Sequence, residues 1–201
     1  MPHFLNAIAA SPWVLAIVFL VAGLDAILPF MPSESTVVAC GVAAANTGRP
    51  VLSLLIVVSA AGAYAGDQVS FRIGRRGLAR PARLSHHRAR AVHDWVHRLL
   101  HSQGGLVIVF ARYMPGARSA TALAAGMVGY SAVRFHWYTA IGVLLWATEA
   151  AVLGYVGGAL FENRPVLGFL LGLAGALVIT GAAVMIGRST RSPRSTEEVS
   201  S

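Results

Sequence analysis

DAILPFMPSE at residues 25–34 and RYMPGAR at residues 112–118 place charged side chains beside prolines within long apolar sequence. The first segment is acidic and the second is basic. A charge near the middle of a bilayer costs about 2.5–3.5 kcal/mol on insertion scales. Backbone broken by proline at that depth is tolerated where protein or water covers it. The two segments therefore predict a polar site inside a membrane protein, built where helices break.

The composition also indicates an integral membrane protein. Of the 201 residues, 56% are hydrophobic and 12% are charged, whereas soluble domains have about 25% charged residues. The net charge of +8 comes from arginines in loops beside apolar spans, a pattern that favours anionic lipid over nucleic acid as the partner. The single cysteine, Cys40, excludes an intramolecular disulfide and a cysteine-based metal site.

The apolar segments predict one transmembrane domain, residues 1–187, followed by a disordered cytoplasmic tail, residues 188–201. Residues 13–24 are apolar but shorter than the ~20 residues that span a bilayer. Three other segments are long enough to span it: residues 51–71, 135–160 and 166–186.

Two further segments, residues 26–46 and 106–128, each combine a polar proline break with a run of small residues, which predicts a re-entrant hairpin. The basic loop at residues 72–103 belongs in the cytoplasm by the positive-inside rule, and both termini then lie there too. The hairpins then enter from opposite faces. The predicted fold is an all-α polytopic membrane protein, an inverted repeat whose two re-entrant helical hairpins meet at the membrane midplane.

Arg112 and Arg118 are the candidate phosphate-binding residues, because a guanidinium offers a planar fork of donors that suits phosphate oxygens. The alternative is that they form structural ion pairs with Asp25 and Glu34. The two roles are compatible, since the carboxylates could hold the arginines until phosphate arrives. Asp25 and Glu34 themselves are candidates for proton coupling, with stabilisation of the helix breaks as the alternative.

Other polar residues have simpler interpretations. Ser33 and Ser35 could donate to phosphate, although serine near a helix start is more often a cap. Asp67 is expected to cap its helix or to pair with Arg72 or Arg75. Glu149 lies inside a span without an assigned role.

Three histidines, His93, His97 and His101, share one predicted helix face. Because their surroundings are rich in arginine, which repels cations, we interpret this face as a solvated membrane-surface helix rather than a metal site. We expect no metal and no cofactor.

In combination these motifs resemble the DedA family, also known as SNARE-associated or VTT-domain membrane proteins. The resemblance covers roughly residues 15–160. It rests on the acidic and proline-rich segment at 25–34, Gly-Asp at 66–67, Gly-Arg-Arg-Gly at 74–77, the 112–118 segment, Ala-Gly-Met at 125–127, Arg-Phe at 134–135 and Gly-x-x-x-Trp at 142–146. Ser33 stands where the family usually has glycine, and Asp25 where it usually has glutamate.

The resemblance implies lipid translocation: return of undecaprenyl phosphate across the bacterial cytoplasmic membrane, or phospholipid scrambling. The supporting positions of such a site are Pro29, Pro32, Ser33, Asp67, Pro115 and Gly116. The expected partners are membrane lipids, either a polyprenyl phosphate or a phospholipid, and not nucleic acid. Proton coupling and association into a homo-oligomer stay open.

Two functions of other classes compete with lipid transport. A membrane enzyme acting on lipid phosphates, such as a phosphatase, needs a nucleophile and an acid/base group beside the arginines. The predicted hairpins contain no histidine, so we place this alternative below a transporter and expect no enzyme. A non-catalytic membrane scaffold leaves the charges at membrane depth unexplained.

Overall fold

The computed structural model of the protein describes residues 12–27, 32–77, 105–113, 117–161 and 165–189. Within these residues all regular structure is helical, which confirms the predicted all-α class. The helices, in chain order, are α1 (Pro12–Asp25), α2 (Ser33–Thr47), α3 (Leu52–Gly77), α4 (Leu106–Ala111), α5 (Ala117–Met127), α6 (Ala132–Leu160) and α7 (Pro165–Ser189).

Two helices, α3 and α6, are long and apolar enough to cross a membrane. They contain 26 and 29 residues. At 1.5 Å per residue they measure about 39 and 44 Å, against a hydrocarbon core of about 30 Å. They include the spans predicted at residues 51–71 and 135–160, apart from residue 51. Helix α1 has 14 residues, about 21 Å, and is too short to cross alone.

Helix α7 covers the span predicted at residues 166–186 and continues to Ser189. The first two residues of the segment predicted to be disordered, 188 and 189, are therefore helical. The remainder of that tail, from residue 190 onward, lies outside the described residues. Most of the basic loop predicted at 72–103 lies outside them too, but its first six residues, 72–77, form the end of α3.

The first helix break lies between α1 and α2, so the predicted limits of the first hairpin, 26–46, are wrong. Helix α2 is continuous from Ser33 to Thr47, and only residues 26–32 separate it from α1. The arms on either side of this break are therefore α1 and α2. The second hairpin, predicted at 106–128, coincides with α4 and α5.

The helix contacts repeat between two groups of three helices. Helix α1 packs on α3, as α4 packs on α6; helix α2 packs on α6, as α5 packs on α3; and α3 packs on α6. These five contacts are unchanged when α1, α2 and α3 are exchanged with α4, α5 and α6, whereas the contact of α2 with α3 has no equally strong counterpart between α5 and α6. The repeat, its inverted orientation and the re-entrance of the short helices stay predictions.

Glycines allow the short helices α2 and α5 to lie directly against the long helices α6 and α3. A Cβ atom at Gly126 in α5 would collide with the Phe71 carbonyl of α3, and one at Gly154 in α6 would collide with the Val38 carbonyl of α2. Small residues at such contacts permit close helix packing in membranes. The consequence for the site is that the N-terminus of α5 lies beside the middle of α3.

Candidate functional site

The four charged residues of the sequence motifs lie at the ends of broken helices. Asp25 is the last residue of α1 and Glu34 lies in the first turn of α2. Arg112 directly follows α4 and Arg118 lies in the first turn of α5. A helix dipole disfavours an acid at a C-terminus and a base at an N-terminus. Asp25 is such an acid, at the C-terminus of α1, and Arg118 is such a base, at the N-terminus of α5. These two residues contact each other, with Arg118 Nη1 3.3 Å from Asp25 Oδ2.

Asp67 of α3 lies between the two arginines. Arg112 Nη1 donates to Asp67 Oδ2 at 2.6 Å, and both side chains are buried, with 2% and 3% of their surface exposed. Arg118 Nε lies 3.4 Å from the other carboxylate oxygen. The expectation that Asp67 caps its helix or pairs with Arg72 or Arg75 is wrong, because Asp67 faces the interior of the bundle whereas those two arginines are exposed.

The C-terminus of α1 is attached to the neighbouring helices through its free carbonyl groups. The last four carbonyls of a helix have no partner within it. Arg118 Nη2 donates to the Ala22 carbonyl at 3.2 Å, and the Ser70 hydroxyl donates to the Ala26 carbonyl, just beyond the helix, at 2.9 Å. These bonds hold the first helix break against α3 and α5, so that Asp25 stays within reach of Arg118.

Ser33 orients Asp25 rather than capping α2. Its hydroxyl donates to Asp25 Oδ2 at 2.5 Å. The N-cap residue of α2 is Pro32, which makes no side-chain capping bond. Ser35 donates to the Pro32 carbonyl at 3.0 Å. The capping interpretation of the two serines is therefore wrong for Ser33, whose partner is a charged residue of the site.

Glu34 has a different environment from that expected. No ion pair joins it to an arginine within the part of the chain that the structure describes. Its carboxylate instead lies within electrostatic reach of two other acids, Glu149 of α6 and Asp25. The Tyr113 hydroxyl, one residue beyond Arg112, lies within electrostatic reach of the Glu149 carboxylate. The structure thus brings Glu149, which had no assigned role, to the edge of the site.

A small cavity of about 10 Å³, room for about one water molecule, adjoins the two arginines. Its lining combines charged, hydroxyl and apolar side chains: Asp67, Ile108, Arg112, Arg118, Thr121, Ala122, Phe135 and Thr139. Several buried donors of the arginines have no hydrogen-bond partner among the described residues, namely Nε and Nη2 of Arg112 and Nε of Arg118. The guanidinium of Arg112 also lies 5.7 Å from the ring centre of Trp146, within the range of a cation–π contact.

Buried donors without partners are costly, and these converge beside a cavity. Their chemistry suits an anion with several acceptor oxygens, since two guanidinium groups can each donate to it in a forked geometry. Among the predicted supporting residues, Pro29, Pro115 and Gly116 lie outside the described residues, as do the three histidines predicted to share one helix face.

Residues 28–156 match the VTT domain. The chain belongs to the VTT-domain family. The matched range contains five charged residues at or near the site, and Asp25 precedes it. The five are Glu34, Asp67, Arg112, Arg118 and Glu149. The resemblance to DedA proteins is confirmed.

Curated relatives in the family are similar over most of their length. Protein DedA of Escherichia coli is 30% identical over 156 residues, which cover 74% of this chain and 70% of that protein. Inner membrane protein YqjA of Escherichia coli is 32% identical over 168 residues, covering 75% and 74%. An uncharacterized membrane protein of Mycobacterium leprae is 28% identical over 177 residues, covering 86% and 78%. No solved structure matches the chain.

These relatives and the apolar helices identify the chain as a membrane protein of this family. Sequence reasoning missed the position of Asp67 and the contacts of Glu149 and Trp146. One signal was present for the two acids, because each interrupts an apolar span. The face of the helix on which such an acid lies is decided by packing.

Proposed function

We propose that the protein is a lipid transporter, of flippase or scramblase type, that moves undecaprenyl phosphate or a related phospholipid across the bacterial cytoplasmic membrane. The observation that supports this proposal is the pair formed by Arg112, which is buried, and Arg118, which is largely buried. Several of their donors have no hydrogen-bond partner among the described residues, and both side chains line a small cavity. The phosphate of a lipid supplies the acceptor oxygens that these donors lack, and its hydrocarbon chain can stay in the membrane.

Asp67 holds the arginines until the lipid arrives. Its two carboxylate oxygens lie 2.6 and 3.4 Å from guanidinium nitrogens of Arg112 and Arg118, as phosphate oxygens would. A lipid phosphate therefore competes with Asp67 for the same donors. For this counter-ion role the geometry favours Asp67 together with Asp25, in place of the predicted pair of Asp25 and Glu34.

The charge balance favours proton coupling. Arg112 and Arg118 carry two positive charges, and Asp67 and Asp25 carry two negative charges, so the paired groups are neutral before any lipid binds. A phosphate monoester brings about 1.5–2 further negative charges at pH 7. In a buried site this excess is costly, and uptake of a proton by a displaced carboxylate reduces it. Glu34 and Glu149 are further acceptors at the same edge.

The two repeats provide a route for the movement. With the short helices entering from opposite faces and both termini in the cytoplasm, the site lies near the membrane midplane, where transporters with inverted repeats bind their substrates. Rocking of one repeat against the other would expose the arginines first to one face and then to the other. The lipid crosses the membrane without chemical change in this mechanism, which is that of a transporter and not of an enzyme.

The test uses purified protein in liposomes with fluorescent undecaprenyl phosphate, beside labelled phosphatidylglycerol and phosphatidylcholine. An impermeant quencher measures the fraction of label that reaches the outer leaflet. Arg112→Lys and Arg118→Lys keep the charge but remove the fork, and both should reduce transport to the level of empty liposomes. Arg72→Ala removes an exposed arginine of α3 and serves as the matched control.

Transport equal to wild type in both lysine variants would contradict the proposed role of the arginines. Wild-type protein that moves none of the three lipids would contradict transport itself. The same samples, assayed for free phosphate, test the enzymatic alternative, because a phosphatase releases phosphate from undecaprenyl phosphate whereas a transporter leaves the lipid intact.

A further inference from the structure

The hydroxyl of Thr139 in α6 has no partner among the described residues although the side chain is buried. The residue is 1% exposed, and its Oγ1 atom makes no hydrogen bond. Threonine and serine inside helices usually donate to a carbonyl one turn earlier. Thr47 does so to the Ala43 carbonyl at 2.8 Å, and Ser59 does so to the Leu55 carbonyl at 2.6 Å. Thr139 lacks even this local bond.

Thr139 lies on the face of α6 that contacts Arg112. Residues three, four and seven apart share a helix face, and Gly142 and Trp146 follow Thr139 at three and seven. The Arg112 side chain passes over Gly142, where a Cβ atom would lie 3.8 Å from Arg112 Cδ, and its guanidinium faces Trp146. Thr139 also lines the cavity that adjoins both arginines.

We infer that the Thr139 hydroxyl is a third donor for the lipid phosphate, beside Arg112 and Arg118, and that it favours phosphate monoesters over diesters. This inference rests on the proposed function and names its substrate class. A monoester group has three terminal oxygens, one for each of the three donor groups, whereas a diester has two.

Two different lipids carry this monoester chemistry, a polyprenyl phosphate and phosphatidic acid. The probes are farnesyl phosphate for the first and dioctanoyl phosphatidic acid for the second, with dioctanoyl phosphatidylglycerol as the diester. Binding of each probe to the detergent-purified full chain is measured by titration calorimetry. Wild-type protein should bind both monoesters more tightly than the diester. A difference in affinity between the two monoesters identifies which of the two lipids the site prefers.

Thr139→Val removes the hydroxyl and keeps the shape. It should weaken binding of the monoesters roughly tenfold to a hundredfold, as expected for the loss of a hydrogen bond to a charged group, and leave diester binding unchanged. Thr139→Ser should restore monoester binding. The matched control is Thr148→Val, on an exposed face of the same helix. Since the Thr139 hydroxyl has no partner within the described ranges, Thr139→Val should unfold at the wild-type temperature or above it.

Three results would overturn the inference: wild-type affinity for monoesters in Thr139→Val, an equal loss for the diester, or a wild-type protein that binds neither monoester. A marked fall in thermal stability of Thr139→Val would also overturn it, because the hydroxyl would then have a structural partner.

Transport in liposomes separates this inference from the proposed function. If the binding results are as expected but no lipid moves, the proposed transport function is wrong, and the role of Thr139 as a third phosphate donor is supported. If lipid moves while Thr139→Val binds the monoesters like wild type, the proposed transport function is supported, and the role of Thr139 as a third phosphate donor is wrong.

Discussion

Asp67→Asn removes the carboxylate charge that holds both arginines and keeps the size of the side chain. Asp67 and Arg112 are 3% and 2% exposed, with their charged atoms 2.6 Å apart. Removing one partner of a buried pair typically costs about 3–5 kcal/mol, because the remaining charge is left uncompensated. The Trp146 ring stays near the guanidinium and offsets part of this loss. We therefore expect a destabilisation near 3 kcal/mol, at the lower end of that range.

The measurement is thermal unfolding of the detergent-purified protein, followed by tryptophan fluorescence. For a chain of this length 1 kcal/mol shifts the melting temperature by about 2–4 °C, so Asp67→Asn should lower it by roughly 6–12 °C. Asp25→Asn is the control. Its side chain is 18% exposed and 3.3 Å from Arg118, and because a less buried pair leaves a less costly charge behind when one partner is removed, its melting temperature should fall less than that of Asp67→Asn.

The second half of this prediction concerns the lipid. Without the Asp67 charge, a phosphate meets no competitor for Arg112, so dioctanoyl phosphatidic acid should raise the melting temperature of Asp67→Asn more than that of wild type. Transport should nevertheless fall, because the lipid is released less readily. The reasoning is refuted if Asp67→Asn is as stable as wild type, if Asp25→Asn is the less stable variant, or if the lipid stabilises wild type more.

Three further predictions concern topology, packing and protons. In a cysteine-free background, an impermeant thiol reagent applied to intact cells should label Gly48→Cys and miss Ser85→Cys; the reverse pattern would overturn the orientation. Gly126→Ala should lower stability by about 1–3 kcal/mol in thermal unfolding, because its Cβ meets α3 backbone. Gly77→Ala is its control, because no atom of the described part of the chain lies within 4 Å of the added Cβ, and equal stability of the two variants would contradict the packing. Glu34→Gln should remove the dependence of lipid flux on an imposed pH gradient, and persistence of that dependence would exclude Glu34 from the coupling.

The sequence by itself determined the class of the protein, the long spans and the location of the helix breaks. Apolar runs report helix length directly, since about 20 residues are needed to cross a bilayer, and a proline in the interior of a helix removes a backbone donor and breaks the helix. The motifs around Arg112 and Arg118 also sufficed to identify the family. The first hairpin was placed incorrectly because a short apolar helix such as α1 resembles an incomplete span, and its pairing with α2 depends on contacts with α3 and α6.

Only the tertiary structure decided which charges meet. Six charged side chains interrupt the apolar segments, and sequence spacing cannot tell which acid faces which arginine, because the partners lie on helices 45 to 93 residues apart. The rotation of each helix about its axis selects the pairs, and that rotation is set by close packing at glycines such as Gly126 and Gly154. Asp67 thereby faces inward between two arginines instead of outward toward its neighbours in the chain, and the Thr139 hydroxyl comes to lie beside them.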